Sequence, residues 1–259
     1  MYIDVHCHLT GDEYDGGAPA VIARANADGV GVIVASGFDL ESSAQSANIA
    51  EKHDGVYFCA GFHPSELNKV QSGDLGRIQD LLRHPKCVAA GEIGLDYHFP
   101  DNPDRETQRR LFVEQLLLAD GAGLPVVIHS RDAAQETLEL LKEHRALLKH
   151  GGLLHCYSYS PEMVDEFANL GLYFSFGGTV TFKNAKKVQE SARRVPIDRI
   201  LSETDCPYLT PTPFRGVFPN EPKNVRYAVE TLAEIRNEDK EMLKTQILAN
   251  AKRLFFKLD

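Results

Sequence analysis

Tyr2-Ile3-Asp4-Val5-His6-Cys7-His8-Leu9 is a short, largely apolar run that ends in two histidines one residue apart. In an extended strand, residues i and i+2 project to the same side. His6 and His8 therefore converge on one point, as metal ligands must, and Cys7 faces the other way. Seven more brief runs follow the first strand (2–6), at 31–36, 56–61, 87–92, 125–129, 152–155, 172–175 and 199–203. Several are apolar throughout, the pattern of strands buried on both faces. Helical patterns lie between them at 19–28, 40–53, 104–121, 132–143, 161–169, 184–193 and 222–234, and a last one at 239–256 closes the chain. In the longest, Leu111, Gln115, Leu116 and Leu118 keep near a 3.6-residue period, and Gly121 and Gly123 mark its stop. Eight strand–helix alternations with no linker, charge block or repeat predict one parallel α/β domain over 1–259. The count suits a closed TIM-type (β/α)8 barrel, which typically needs about 250 residues. Residues 210–222 carry four prolines and no periodicity, and read as a loop over the active face.

Polar residues at the ends of these runs carry the chemistry. Glu92 stands at the end of the fourth strand, His129 of the fifth, His155 of the sixth and Asp205 of the eighth. TIM barrels build their active sites at the carboxyl ends of their strands. A closed barrel would bring four imidazoles and two carboxylates to one mouth. An isolated ionised carboxylate at the end of an apolar strand is expensive unless paired or metal-bound. Mixed imidazole and carboxylate donors suit Zn²⁺, Mn²⁺, Fe²⁺ or Co²⁺. Six ligands exceed the three that one catalytic zinc usually takes, so two divalent ions fit better. Glu92, central in strand order, is the candidate bridge. Two such ions can clamp the attacking and leaving oxygens of an in-line displacement.

Composition bounds the alternatives. With 43% hydrophobic and 25% charged residues the 259-residue chain reads as globular, and its net charge of −9 argues against a nonspecific duplex coat. The five cysteines never form a C-x-x-C pair, which fits free thiols in a reducing, cytoplasmic setting. Cys7, Cys156 and Cys206 adjoin ligands but read as small buried apolar residues. Residues 1–8 show no signal-peptide pattern, and no apolar run approaches the ~20 residues that span a bilayer.

DVHCHL, GFHPSE, AAGEIGLDYHF, ETQRRLFVEQLLLA, LPVVIHSRDA, HCYS, FSFGGTVTFKNAK, LSETDCPYLTP and RGVFPNEP occur in order along nearly the whole chain. In these stretches the sequence resembles the TatD-type deoxyribonucleases, a branch of the metal-dependent hydrolases on TIM barrels. The resemblance implies that His6, His8 and Asp205 hold one metal with Glu92, and that His129 and His155 hold the other, again with Glu92. It also implies phosphodiesterase activity, trimming single-stranded DNA ends through a metal-activated water, with Mg²⁺, Mn²⁺ or Zn²⁺. Asp205 is then the catalytic residue expected to orient that water and take its proton, with Glu92 beside it. The expected substrate partner is single-stranded DNA, and the expected state is a monomer.

Candidate substrate contacts are His63, Arg131, Tyr157, Glu203 and Asn220. His63 could meet a phosphate or protonate a leaving oxygen, against a local packing role beside Pro64. Arg131 could fork a phosphate or pair with Asp96 or Asp132. Tyr157 and Tyr159 could stack on a base or simply pack. Glu203 and Thr204 could instead orient the ligands, and Asn220 with Glu221 could close over the site. Two departures from the family bear on substrate. Tyr159 stands near a position usually held by glycine, and Val217-Phe218-Pro219 stands where two basic residues are common. A metallo-amidase or esterase acting on a small substrate is the rival enzyme reading. Many of those carry a carboxylated lysine on the fourth strand, where this chain has Glu92. A non-catalytic binding barrel is the other rival, and the intact ligand set speaks against it.

Overall fold

A computed structural model describes residues 1–258. Eight parallel strands form one sheet in sequence order: β1 (Tyr2–Cys7), β2 (Val30–Ser36), β3 (Val56–Ala60), β4 (Cys87–Asp96), β5 (Val126–Arg131), β6 (Gly152–Leu154), β7 (Leu172–Phe176) and β8 (Ile200–Ser202). The seam between β1 and β8 is closed by hydrogen bonds. Ser202 Oγ donates to the Ile3 carbonyl, and past the end of β8 the Asp205 and His8 amides donate to the carbonyls of His6 and Cys206. The result is the expected TIM-type barrel. Its strands are apolar on both faces because side chains meet the barrel interior on one side and helices on the other.

The helices are α1 (Gly17–Ala27), α2 (Leu40–Lys52), α3 (Asp74–Leu82), α4 (Arg105–Ala122), α5 (Ala134–Glu143), α6 (Pro161–Ala168), α7 (Lys186–Arg194), α8 (Val225–Arg236) and α9 (Lys240–Leu254). Their boundaries follow local chemistry. Asp39 caps α2 with a reciprocal capping box to Ser42, and Asp104 caps α4 by accepting from the Thr107 amide. Gly123, with φ 67°, ends α4 in the left-handed conformation that favours glycine. Asn250 of α9 donates to the carbonyls of Ile197 and Ile200, tying the last helix to the entry of β8.

The structure departs from the sequence expectations at three places, one of them β5, which runs past His129 to Arg131. α3 lies between β3 and β4, where no helix was expected; it is short, with Gly76 inside it, and only Ile78 and Leu82 are buried. Glu92 does not end β4, which runs on to Asp96. The β4–β5 register shifts between Ala90 and Ile93, and the Glu92 amide bonds instead to the Gly37 carbonyl beyond β2. Residues 210–221 lie outside regular secondary structure, as expected.

Candidate metal centre

The mouth gathers two sets of donor atoms around one carboxylate. His6 Nε2 lies 3.3 Å from Glu92 Oε2 and 3.6 Å from Asp205 Oδ1. His8 Nε2 lies 3.6 and 3.5 Å from the same two oxygens. The other Glu92 oxygen, Oε1, sits 2.9 Å from His129 Nδ1 and 2.8 Å from His155 Nε2, which are 3.2 Å apart. Nitrogen and oxygen ligands sit about 2.0–2.2 Å from a zinc ion, so ligands of one ion are spaced by roughly 3–3.5 Å. Both sets come close to that spacing, at 2.8–3.6 Å, and Glu92 offers one oxygen to each. Buried His6 Nε2 has no hydrogen-bond partner. A buried polar atom left this way costs about 1–3 kcal/mol, and a cation between the donors would satisfy it. These residues fit a pair of divalent ions.

At His8 and His129 the other ring nitrogen faces an obligate acceptor, which fixes the tautomer that leaves a lone pair facing the centre. His8 Nδ1 is 3.0 Å from the Ser36 carbonyl, and His6 Nδ1 is 3.0 Å from Ser36 Oγ. His129 Nε2 is 3.1 Å from Asp96 Oδ2. Glu203 Oε1 lies 3.8 Å from His155 Nδ1, a charge contact longer than a hydrogen bond. Asp205 has a left-handed backbone, φ 53°, which turns the chain out of β8 toward the histidines. Its position is fixed from below by Asp4, which accepts from the amide and hydroxyl of neighbouring Thr204.

Electrostatics match the donor roles of the two carboxylates and of His6. At His8, His129 and His155, by contrast, burial is outweighed by hydrogen bonds and charges from Asp205, Asp96, Glu92 and Glu203, which raise those rings, so a cation must displace their protons. Burial opposes ionisation of Glu92, but the His155, His6 and His63 rings and the bond from His129 outweigh it and hold the carboxyl well below its usual range. Burial likewise opposes ionisation of Asp205, and the bond from His8 with the His155 charge prevails and lowers it. Burial, then His155, pushes His6 down, favouring the neutral ring a metal needs.

The cavity above this centre holds about 940 Å³ and includes His63, Arg131, Phe99 and Tyr208 in its lining. His63 accepts the Ser65 amide at Nδ1, so its proton sits on Nε2, 3.6 Å from Glu92 Oε1. Arg131 is exposed at the lip and lies over Phe99, 5.0 Å from the ring centre, rather than pairing with Asp96 or Asp132.

Three expected substrate contacts are corrected. Tyr157 is 2% exposed, packs against Phe167, Phe174 and Phe176, and donates its hydroxyl to the Ser160 carbonyl; no face remains for a base. Glu203 is fully buried and accepts from the Cys156 amide and the Ser175 hydroxyl, so it orients rather than binds. Asn220 is also buried, its amide donating to the carbonyls of Thr204 and Tyr208 and so pinning the loop after β8. Glu221 does not close over the mouth; it pairs with Arg24 and Lys223. Tyr159 does not narrow the cavity either, because its hydroxyl bridges Ser130 Oγ and the Ala133 amide. Cys7 and Cys206 are buried beside Asp4, and Cys156 is half-buried.

Sequence reasoning missed Ser36 as an orienting residue and offered Asp96 only as a possible partner of Arg131, whereas it meets His129. The signal for Asp96 was its spacing from Glu92, i to i+4 on one strand, which points both to the same face.

The family profile described as TatD related DNase matches residues 3–256. YabD of Bacillus subtilis, named a metal-dependent hydrolase, is 42% identical over 98% of this chain and 99% of its own. A protein of Klebsiella pneumoniae named 3'-5' ssDNA/RNA exonuclease TatD is 33% identical over 97% of each. The crystal structure of YjjV, a TatD homologue from Escherichia coli, superposes with a TM-score of 0.92 at 35% identity, covering 98% of both chains. With its barrel, its donor set and matches that run end to end, the chain belongs to the TatD family of metal-dependent hydrolases.

Proposed function

We propose that this protein is a phosphodiester hydrolase that uses two divalent ions (Mg²⁺, Mn²⁺ or Zn²⁺) and trims the ends of single-stranded DNA. The observation that carries the reading is Glu92, whose two oxygens each face a separate donor set. A phosphodiester needs both its attacking and its leaving oxygen attended. When bound, a divalent pair supplies an acidified water and positive charge for the phosphoryl oxygens. Asp205, kept ionised beside His6 and His8, orients that water and takes its proton on a carboxylate oxygen. His63 offers its Nε2 proton to an oxygen of the phosphoryl group. Arg131 meets a phosphate at the lip. The Klebsiella relative's name supports a single-stranded substrate.

The test uses metal-stripped protein on end-labelled single-stranded DNA, with each ion added back. A ladder growing from one end is expected. Asp205→Asn keeps the fold and loses about 10²–10⁴-fold in turnover, the usual worth of a proton-transfer group. Undiminished cleavage in that variant removes Asp205 from the role.

A second reading, hydrolysis of a small acyl ester or amide, has one observation in its favour. Glu13, Glu41 and Glu66 line the cavity, and Arg131 is its one lysine or arginine among the described residues. Turnover of an acyl ester, with DNA left intact under every ion, would select it.

A further inference from the structure

Large aromatic side chains stand exposed on two sides of the cavity. Tyr208, in the loop after β8, lines the cavity and is 58% exposed; Phe218, 61% exposed, lies with its ring centre 6.5 Å away. Phe99, in the loop after β4, lines the same cavity and is 51% exposed beneath the Arg131 guanidinium. In a barrel ordered β1 to β8, the loops after β4 and β8 face each other across the mouth. The metal-ligand set lies between them. Single exposed apolar residues are ordinary, but these are rings paired with a second ring or a guanidinium at opposite lips of one cavity.

We propose that Tyr208–Phe218 and Phe99–Arg131 are two nucleobase platforms, one on each side of the scissile phosphate. A single strand would be held mainly by stacking on its bases, with Arg131 the one arginine in the cavity lining that can also reach a phosphate. Every base has a π-face, so such platforms bind without sequence preference. The guanidinium over Phe99 adds a planar cation that stacks on a base. A chain of net charge −9 with one basic side chain at its mouth has little else with which to hold a strand. The proposal rests on the nuclease reading above.

The experiment is a cycle between protein and substrate, run with metal-loaded enzyme. A short single-stranded oligonucleotide is compared with strands made abasic on one or the other side of the cleaved bond. Wild type is expected to lose about 5- to 150-fold in kcat/KM for each missing base. Phe218→Ala is expected to abolish the preference at one flank and keep it at the other, and Phe99→Ala the reverse. Both residues are exposed, so neither substitution threatens the core. Base preference intact in both variants overturns the platforms while leaving the nuclease reading in place. A dimer in sedimentation that Phe218→Ala dissolves, with base preference unchanged, also overturns them and assigns the patch to self-association. No cleavage of any oligonucleotide, with a small phosphodiester still hydrolysed, overturns the nuclease reading itself.

Discussion

His63 shows how much a single proton position decides. Its Nδ1 accepts the Ser65 amide, which leaves the proton on Nε2, the atom facing the centre. Burial, reinforced by the nearby His129 charge, pushes its imidazolium down to about 3. The depressed value means the ring gains charge only as pH falls toward 3, and bound cations would push it further the same way. His63 is therefore a neutral hydrogen-bond donor across any practical assay range, not a general acid with a titration of its own. Two expectations follow for steady-state kinetics between pH 5.5 and 9. His63→Ala loses about 10²-fold in kcat, the usual effect of removing one donor to a developing oxyanion. His63→Gln, which restores an N–H, recovers most of that loss, and neither variant moves the alkaline limb of the pH profile. An alkaline limb present in the wild type and lost in His63→Gln would restore the acid role, because a general acid fails as it deprotonates.

At the scale of elements, the β4–β5 pair carries the most constrained part of the site. Gly94 has φ 146°, and a Cβ built there would lie 1.9 Å from the His129 carbonyl oxygen. The two strands pair directly at this level, Gly94 opposite His129. Gly94→Ala must therefore push β5 away from β4 and move His129 relative to Glu92. The expected result is a drop in thermal midpoint with a drop of about 10-fold or more in affinity for one of two ions, an effect of the size seen when ligand support is lost. Metal titration with a binding-sensitive signal checks it; two ions bound at wild-type affinity would show that the strands can part without moving the ligand. This pair also marks how far the sequence could be read. His129 was legible because it follows an unbroken apolar run, although β5 runs past it to Arg131. Glu92 was legible as a candidate ligand but misplaced as a terminus, because a register shift has no signature in a run where every residue is buried. Asp96 was hidden by the same shift. α3 was missed because Gly76 interrupts a segment already too short to show a period. Tyr157 was misjudged for a different reason: an aromatic next to a ligand can turn toward the mouth or toward the core, and only packing against Phe174 and Phe176 decides.

At the scale of the whole molecule, charge separates two ways of holding a nucleic acid. Enzymes that track the phosphate backbone carry basic grooves, and each phosphate they neutralise on a single strand contributes about −0.7 to the slope of log affinity against log salt. Here the chain carries 37 acidic and 28 basic residues, and the cavity presents Glu13, Glu41 and Glu66 against Arg131. One arginine accounts for one phosphate. Repulsion between the anionic surface and the rest of the strand works in the opposite sense, since added salt screens it. The dependence of kcat/KM on KCl, at fixed divalent ion concentration, should accordingly be shallow, with a slope no steeper than about −1 for a single-stranded substrate. Stacking on exposed rings is neutral and adds nothing to this slope, whereas a backbone-tracking groove would add to it with every phosphate engaged. A slope of about −3 or steeper would mean that several cations outside the cavity reach the strand. That outcome would place the strand along the outer loops, and the aromatic lips would then no longer be needed to explain how an acidic barrel retains it.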